Sequence, residues 1–140
     1  MVPDLIEDHV IARLLATSAV TAIVGQRIRP GSLDQRDAIP AVTVTLAEEI
    51  HESELDDPGD GPYTAIVEVR AIDQTHRGAR LLQRAIEYNA TDPPTGLNGW
   101  ESSAVASCLN IGAEREFIDL RDDAGGKREV MVVRYRVDLM

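Results

Sequence analysis

Apolar residues recur along the chain with two different periods, and the places where the period changes mark out its elements. Ile6, Val10 and Leu14 return every four positions with Ile11 and Leu15 beside them, the stripe of a helix that lays one face on a core. Asp4, just after Pro3, is placed to accept from the first-turn amides while Glu7 reaches back, so a helix is predicted from 4 to 16. Ser18 is expected to cap a second short turn through Ala19, Val20 and Ile23, which Gly25 stops by taking a left-handed conformation. An extended segment at Arg27 to Arg29 leads into the Pro30-Gly31 turn and a polar surface loop that ends at Pro40.

From there the period drops to two. Val42, Val44 and Leu46 alternate with Thr43 and Thr45, a strand with one buried face. From Glu48 to Gly61 the alternation dissolves, and a solvated acidic loop is expected over 48–61. Tyr63 to Ile72 resumes it through Ala65, Val67 and Val69, as an antiparallel return. Asp73 or Thr75 caps a second long helix whose buried side carries Leu82, Ala85, Ile86 and Asn89. Asp92-Pro93-Pro94-Thr95-Gly96 ends it, and an insertion over 92–103 with the single tryptophan, Trp100, reads as loop. A third strand runs from Val105 to Ile111 and continues irregularly to Leu120. A glycine turn follows at 122–126, and in the last strand Met131, Val133, Tyr135, Val137 and Leu139 share one face. The prediction is a single α+β domain over 1–140, its largely antiparallel sheet carrying two main helices on one face and ending in a C-terminal hairpin over 112–139.

Composition narrows the function classes. With 140 residues, 44% of them hydrophobic, the chain is long enough to bury a core without disulfides or a structural metal. Its 24 carboxylates against 14 basic residues, a formal charge of −10, argue against gripping nucleic acid through its phosphates. No apolar run approaches the length of a membrane helix, and Glu7, Asp8 and His9 interrupt any secretory pattern at the N-terminus, so a protein that works where it is made, or leaves by lysis, is expected. His9, His51 and His76 are scattered without a paired cysteine, so no metal is expected. The acidic run from Asp56 fails the calcium-loop pattern, with Pro58 at the third position and Val67 at the twelfth. Cys108 sits in a strand pattern without a base beside it and reads as a small buried thiol. Neither a phosphate-binding glycine loop nor a dinucleotide fingerprint is present, so neither an enzyme nor a cofactor is expected.

The charge pattern points instead to contacts between proteins. Arg77, Arg80 and Arg84 line one side of the second long helix, where they either form a solvated face with local pairs such as Arg84 with Glu87 or meet a neighbour's carboxylates. Seven carboxylates (Glu48, Glu49, Glu52, Glu54, Asp56, Asp57, Asp60) follow one another in the acidic loop without one Lys or Arg.

The order of several segments resembles a known family. Arg27-Ile28-Arg29-Pro30-Gly31, Gln35, Ile39-Pro40-Ala41-Val42, and the passage from Val67-Glu68-Val69 to Ala79, Leu82 and Ala85 follow a short N-terminal helix. This order is similar to that of the tail-completion or tail-terminator proteins of long-tailed bacteriophages, among them the tail-to-head joining proteins of Gram-positive phages. The resemblance spans 4 to 90 by motif and 104 to 139 by strand pattern; the acidic loop and the insertion over 92–103 depart from it. It implies a non-enzymatic virion protein of the tail and neck, assembled in the host cytoplasm. Its subunits would form a homo-oligomeric, hexameric ring that ends tail-tube polymerisation, contacts the tail tube protein and the head-completion (stopper) protein, and lets double-stranded DNA through its lumen without specific binding. On this reading Glu52, Glu54, Asp56, Asp57 and Asp60 face either the lumen or the arginines of the next subunit, and the hairpin tip with Asp122, Asp123, Lys127 and Arg128 reaches a neighbouring ring. The alternatives are a head-completion protein of the same virion and, more remotely, a small host ligand-binding or enzymatic domain.

Overall fold

In the computed structural model, which describes residues 5–33, 38–51, 63–88, 95–120 and 126–139, one five-stranded sheet carries helices on one of its faces. The elements are α1 (Ile6–Leu15), α2 (Ser18–Val24), β1 (Ile28–Pro30), β2 (Ala41–His51), β3 (Tyr63–Asp73), α3 (His76–Glu87), β4 (Val105–Leu120) and β5 (Gly126–Leu139). The spatial order is β1-β2-β3-β5-β4. Only the short β1 runs parallel to its neighbour; the other three pairings are antiparallel. The α+β class and the helix-covered face are as the sequence pattern predicts.

The alternation along β3 and β5 decides which face the helices cover. Ala65, Val67, Val69 and Ala71 on β3 and Met131, Val133, Tyr135 and Val137 on β5 point into a core shared with Ile6, Val10 and Leu14 of α1, Val20 and Val24 of α2, and Ala79, Leu82 and Ile86 of α3. On the opposite face Ile72, Val130 and Val132 form a small second cluster under Leu33 and Ile39 of the loop before β2. Beyond that cluster the face is polar. Arg134 and Arg70 converge on Glu68 at 3.1 and 2.9 Å.

Several local expectations change. Asp4 lies outside the described residues; α1 starts after Leu5, with no side-chain cap. Thr17 rather than Ser18 occupies the N-cap of α2, and its buried hydroxyl donates back to the Arg13 carbonyl at 2.8 Å, which spends it on the end of α1. Gly25 takes the expected positive φ of 60°, but its ψ of −123° turns the chain out toward β1 rather than into a left-handed turn. At α3 Thr75 is the cap, accepting from the Gly78 amide at 3.0 Å, while Asp73 accepts from the Gln74 amide at 2.7 Å. Asn89 lies outside the described residues.

The largest correction concerns β2. It does not end before Glu48 but runs to His51, pairing as far as Tyr63. A register shift between Leu46 and Glu48 inserts one extra residue, so the alternation reverses there and the apolar period vanishes while the backbone ladder continues. Past the bulge, the Tyr63 hydroxyl donates to Glu49 at 2.8 Å.

The segment after α3 also does more than connect. Leu97 and Trp100 are buried, the Leu97 and Asn98 amides donate to the Ile86 and Glu87 carbonyls at 2.8 Å, and Gly99 donates to the Cys108 carbonyl at 2.7 Å. The last carbonyls of α3 are thereby satisfied by the chain that follows. Gly96, at φ 96°, lies against the α3 backbone so closely that a Cβ would come within 2.8 Å of the Glu87 carbonyl oxygen, which only glycine avoids. Arg13 locks the same turn from α1, donating to the Gly96 carbonyl at 3.0 Å beside the Trp100 ring.

Two polar nodes fasten the sheet. Beneath α3, the buried Tyr135 hydroxyl donates to Glu87 Oε1 at 2.6 Å, and Asn110 Nδ2 donates to the same oxygen at 2.7 Å. On the polar face, Thr64 of β3 and Ser107 of β4 donate to the two oxygens of Asp138 on β5 at 2.6 and 2.7 Å, tying three strands through one carboxylate.

The nodes yield two predictions. Tyr135→Phe removes a buried donor but leaves Glu87 its bond from Asn110, so denaturant unfolding should show a loss of about 1–2 kcal/mol with the fold retained. The hydrogen bonds from Thr64 and Ser107 hold the Asp138 carboxyl below its ordinary pKa of 3.8. A depressed folded pKa contributes stability that is present above the unfolded value and lost as pH falls through the folded one. Asp138→Asn should therefore cost about 1 kcal/mol at neutral pH, and the gap to the wild type should close as thermal melts are taken below the ordinary carboxylate range.

Candidate interaction surfaces

The described residues present two exposed surfaces as candidates. Among the described residues no group of three or more His, Cys, Asp or Glu side chains is placed to hold a metal ion. Cys108 is fully buried on the core side of β4, and burial, with Glu87 nearby, pushes its thiol up to about 12, which keeps it protonated and unreactive at neutral pH. No helix of the described residues is long and apolar enough to cross a membrane.

The first surface is the outer side of α3. Arg77, Arg80 and Arg84 are all exposed, as their spacing predicts, and the two largest apolar side chains left open on this element join them: Leu81 at 46% and Tyr88, just past its end, at 55% exposure. At about 100° per residue the four helical positions 77, 80, 81 and 84 fall within an arc of roughly 100°, opposite the buried Ala79, Leu82 and Ile86, and Tyr88 follows at the helix end with an extended backbone. None of the three guanidinium groups has an ion pair or hydrogen bond among the described residues. The local pair of Arg84 with Glu87 does not form, because Glu87 turns inward to Tyr135 and Asn110.

The second surface is β4, which has no strand beyond it in the sheet among the described residues; its outer edge is met near Cys108 and Asn110 by the segment after α3, where Gly99 donates to the Cys108 carbonyl and the Asn110 amide donates to Asn98 Oδ1 at 3.1 Å. Midway along it Leu109 and Ile111 are each 52% exposed, next to the register shift between Asn110 and Gly112. Ile111, Gly112, Ala113, Glu114, Val132 and Arg134 line an open recess of about 230 Å³ there. A sheet edge that carries apolar side chains and no proline is a template for a further strand or a neighbouring subunit. The opposite edge is only partly covered, since the three-residue β1 pairs with Val42 to Val44 and leaves the rest of β2 open on that side among the described residues.

The remaining charged candidates divide. Glu52, Glu54, Asp56, Asp57, Asp60, Asp122 and Asp123 lie outside the described residues, and of Lys127 only the backbone is described, opposite Asp119. Arg128, expected at the exposed tip of the hairpin, is instead buried at 5% exposure. It occupies the same face of β5 as Val130 and Val132, which pack under the loop before β2. Sequence spacing finds the arginine stripe but misses Leu81 and Tyr88. For Leu81 the signal was present, because 77, 81 and 84 follow the three-and-four spacing of one helical face; Tyr88 lies past the helix end, where that spacing does not apply. Leu109 and Ile111 had no such signal, since they sit where the strand period is broken.

Comparison with known proteins places the fold but no family. Neither a family model nor a curated protein sequence matches the chain. Among solved structures it is similar to a chain from the virion of a native gene transfer agent particle, with a TM-score of 0.60 and 15% sequence identity over 96% of this chain and 95% of that one. At that identity the likeness is one of fold, and it extends end to end through both chains.

Proposed function

We propose that this chain is a structural protein of a phage-like virion, and within it a tail terminator: a subunit whose closed ring ends tail-tube polymerisation and joins the tail to the head. The observation that carries the reading is the end-to-end likeness of fold to a chain of a gene transfer agent virion. A chance likeness between pieces of two larger folds would leave much of one chain uncovered. The motif order of the sequence independently resembles the tail-terminator family, and it supplies the finer part of the reading.

The surfaces suit a ring. A closed cyclic assembly is built from heterologous contacts, in which one patch of each subunit meets a different patch of the next. This chain offers unlike patches of that kind: a cationic and apolar helix face, and a sheet edge with apolar side chains. The formal charge of −10 suits a channel wall that DNA slides past, because like charge opposes adhesion to the phosphates. No chemical step is assigned to the protein; its work is to fit one partner on each side.

The test is light-scattering mass with negative-stain imaging of the purified chain, with and without tail tubes from the same particle. Rings are expected, free or seated at tube ends, and adding the protein during tube growth should shorten the tubes. A compact monomer or dimer that ignores tubes would overturn the assignment. Retention on tailless, DNA-filled heads with none on headless tails would replace it with a head-completion role.

A further inference from the structure

The outer face of α3 stands apart from the other arginine sites of the chain. Arg13 donates to Gly96, Arg27 to Pro40, and Arg70, Arg115, Arg134 and Arg136 are paired with Glu68, Glu129 or Asp138. Arg77, Arg80 and Arg84 have no such partner among the described residues, and they flank Leu81 and Tyr88. We propose that this face docks the acidic stretch 52–60 of a neighbouring copy of the chain, so that the subunit contact is heterologous and electrostatic. The inference rests on the ring reading above and names the contact that would build it.

Charge and pattern select the occupant. The stretch holds Glu52, Glu54, Asp56, Asp57 and Asp60 with no basic residue, and Leu55 sits among the carboxylates as Leu81 and Tyr88 sit among the arginines. An acidic segment with one apolar anchor matches a cationic stripe with an apolar centre in both respects, and guanidinium groups are suited to bidentate carboxylate pairing.

Geometry favours an intermolecular contact. The stretch leaves β2 at His51 and returns to β3 at Tyr63. From the other end of β3, α3 runs back along the sheet until Glu87 reaches Tyr135, which is paired with Val67. Tyr63 lies four strand residues beyond Val67, about 13 Å, and Arg77 lies ten helical residues behind Glu87, about 15 Å, so roughly 28 Å along the sheet separates Arg77 from the acidic stretch's anchors. Arg77 and Arg80 lie towards the end of α3 remote from those anchors, so a contact that covers the whole stripe is made more readily by the stretch of another subunit than by the subunit's own. Because donor and acceptor are different surfaces, such contacts are able to run head to tail, and they end in a ring where the rotation closes.

The test separates docking from ring formation. A fluorescent peptide spanning 50–62 is titrated into the full-length chain at low salt and followed by anisotropy, beside the variant R80E/R84E, whose fold is checked by circular dichroism and thermal melting. Binding to the wild type, at least tenfold weaker to the variant and weakened by salt, is expected. In parallel the rings should be lost in R80E/R84E and regained when Glu54→Arg and Asp56→Arg are added to it. Equal peptide binding by wild type and variant, or rings that persist in R80E/R84E, would overturn the proposal. Arginine-dependent binding of a DNA duplex with none of the peptide would also overturn it, in favour of nucleic acid. If the peptide docks as expected while the wild type forms no ring on any tube, the docking inference stands and the terminator reading fails.

Discussion

The register between β3 and β5 is the constraint on which the rest of the structure depends. Eleven residues of each strand pair without a shift, from Tyr63 opposite Leu139 to Asp73 opposite Glu129, and the side-chain period of two then sorts every position to one face. Slipping β5 by one residue against β3 would turn Met131, Val133, Tyr135 and Val137 out of the core and bring Arg134 and Arg136 into it. Burial of that apolar face is what holds the register, and both polar nodes follow from it. Tyr135 can meet Glu87 only because it points under the helices, and Asp138 can gather Thr64 and Ser107 only because it points away from them. The irregular strands sit outside this pair, where a bulge in β2 or β4 costs the core little.

From this frame the placement of α3 follows, and with it the candidate surface. The helix is seated by Ala79, Leu82 and Ile86 and clamped at its end by the Leu97–Trp100 segment and by Glu87. Drawing Glu87 inward stabilises the core, and it also withdraws the one carboxylate three positions from Arg84. A residue that anchors the fold thus leaves the arginines exposed without a local counter-ion.

The parts of this architecture that were legible in the sequence are those where one period runs unbroken: α1 and α3 by their four-residue stripes, β3 and β5 by alternation, and Arg77, Arg80 and Arg84 by their shared spacing. What was not legible has a common cause. The bulge after Leu46 hid the last third of β2, and two register shifts made β4 read as a strand that decays. Leu97 and Trp100 belong to no period, so their burial depends on the shape of the α3 terminus rather than on any local pattern. Arg128 looked like a hairpin tip because its neighbours are polar, yet its burial depends on a face whose cover comes from the loop before β2.

Local electrostatics supports the proposed role of the α3 stripe as a contact. Three and four positions from Arg80 stand His76, Arg77, Gln83 and Arg84, so no acid within the helix can pair with it, and two of those neighbours repel it. Like charges at that spacing destabilise a helix by a few tenths of a kcal/mol each. Arg77 has an acid only at Asp73, whose carboxylate already accepts from the Gln74 amide. In a chain with ten more carboxylates than basic residues, three arginines gathered where no carboxylate of their own helix is free to answer them make the isolated subunit less stable than a mixed surface would. That cost would fall away if an acidic surface covered the stripe, so in the proposed contact the same residues that weaken the lone subunit would favour the assembled one.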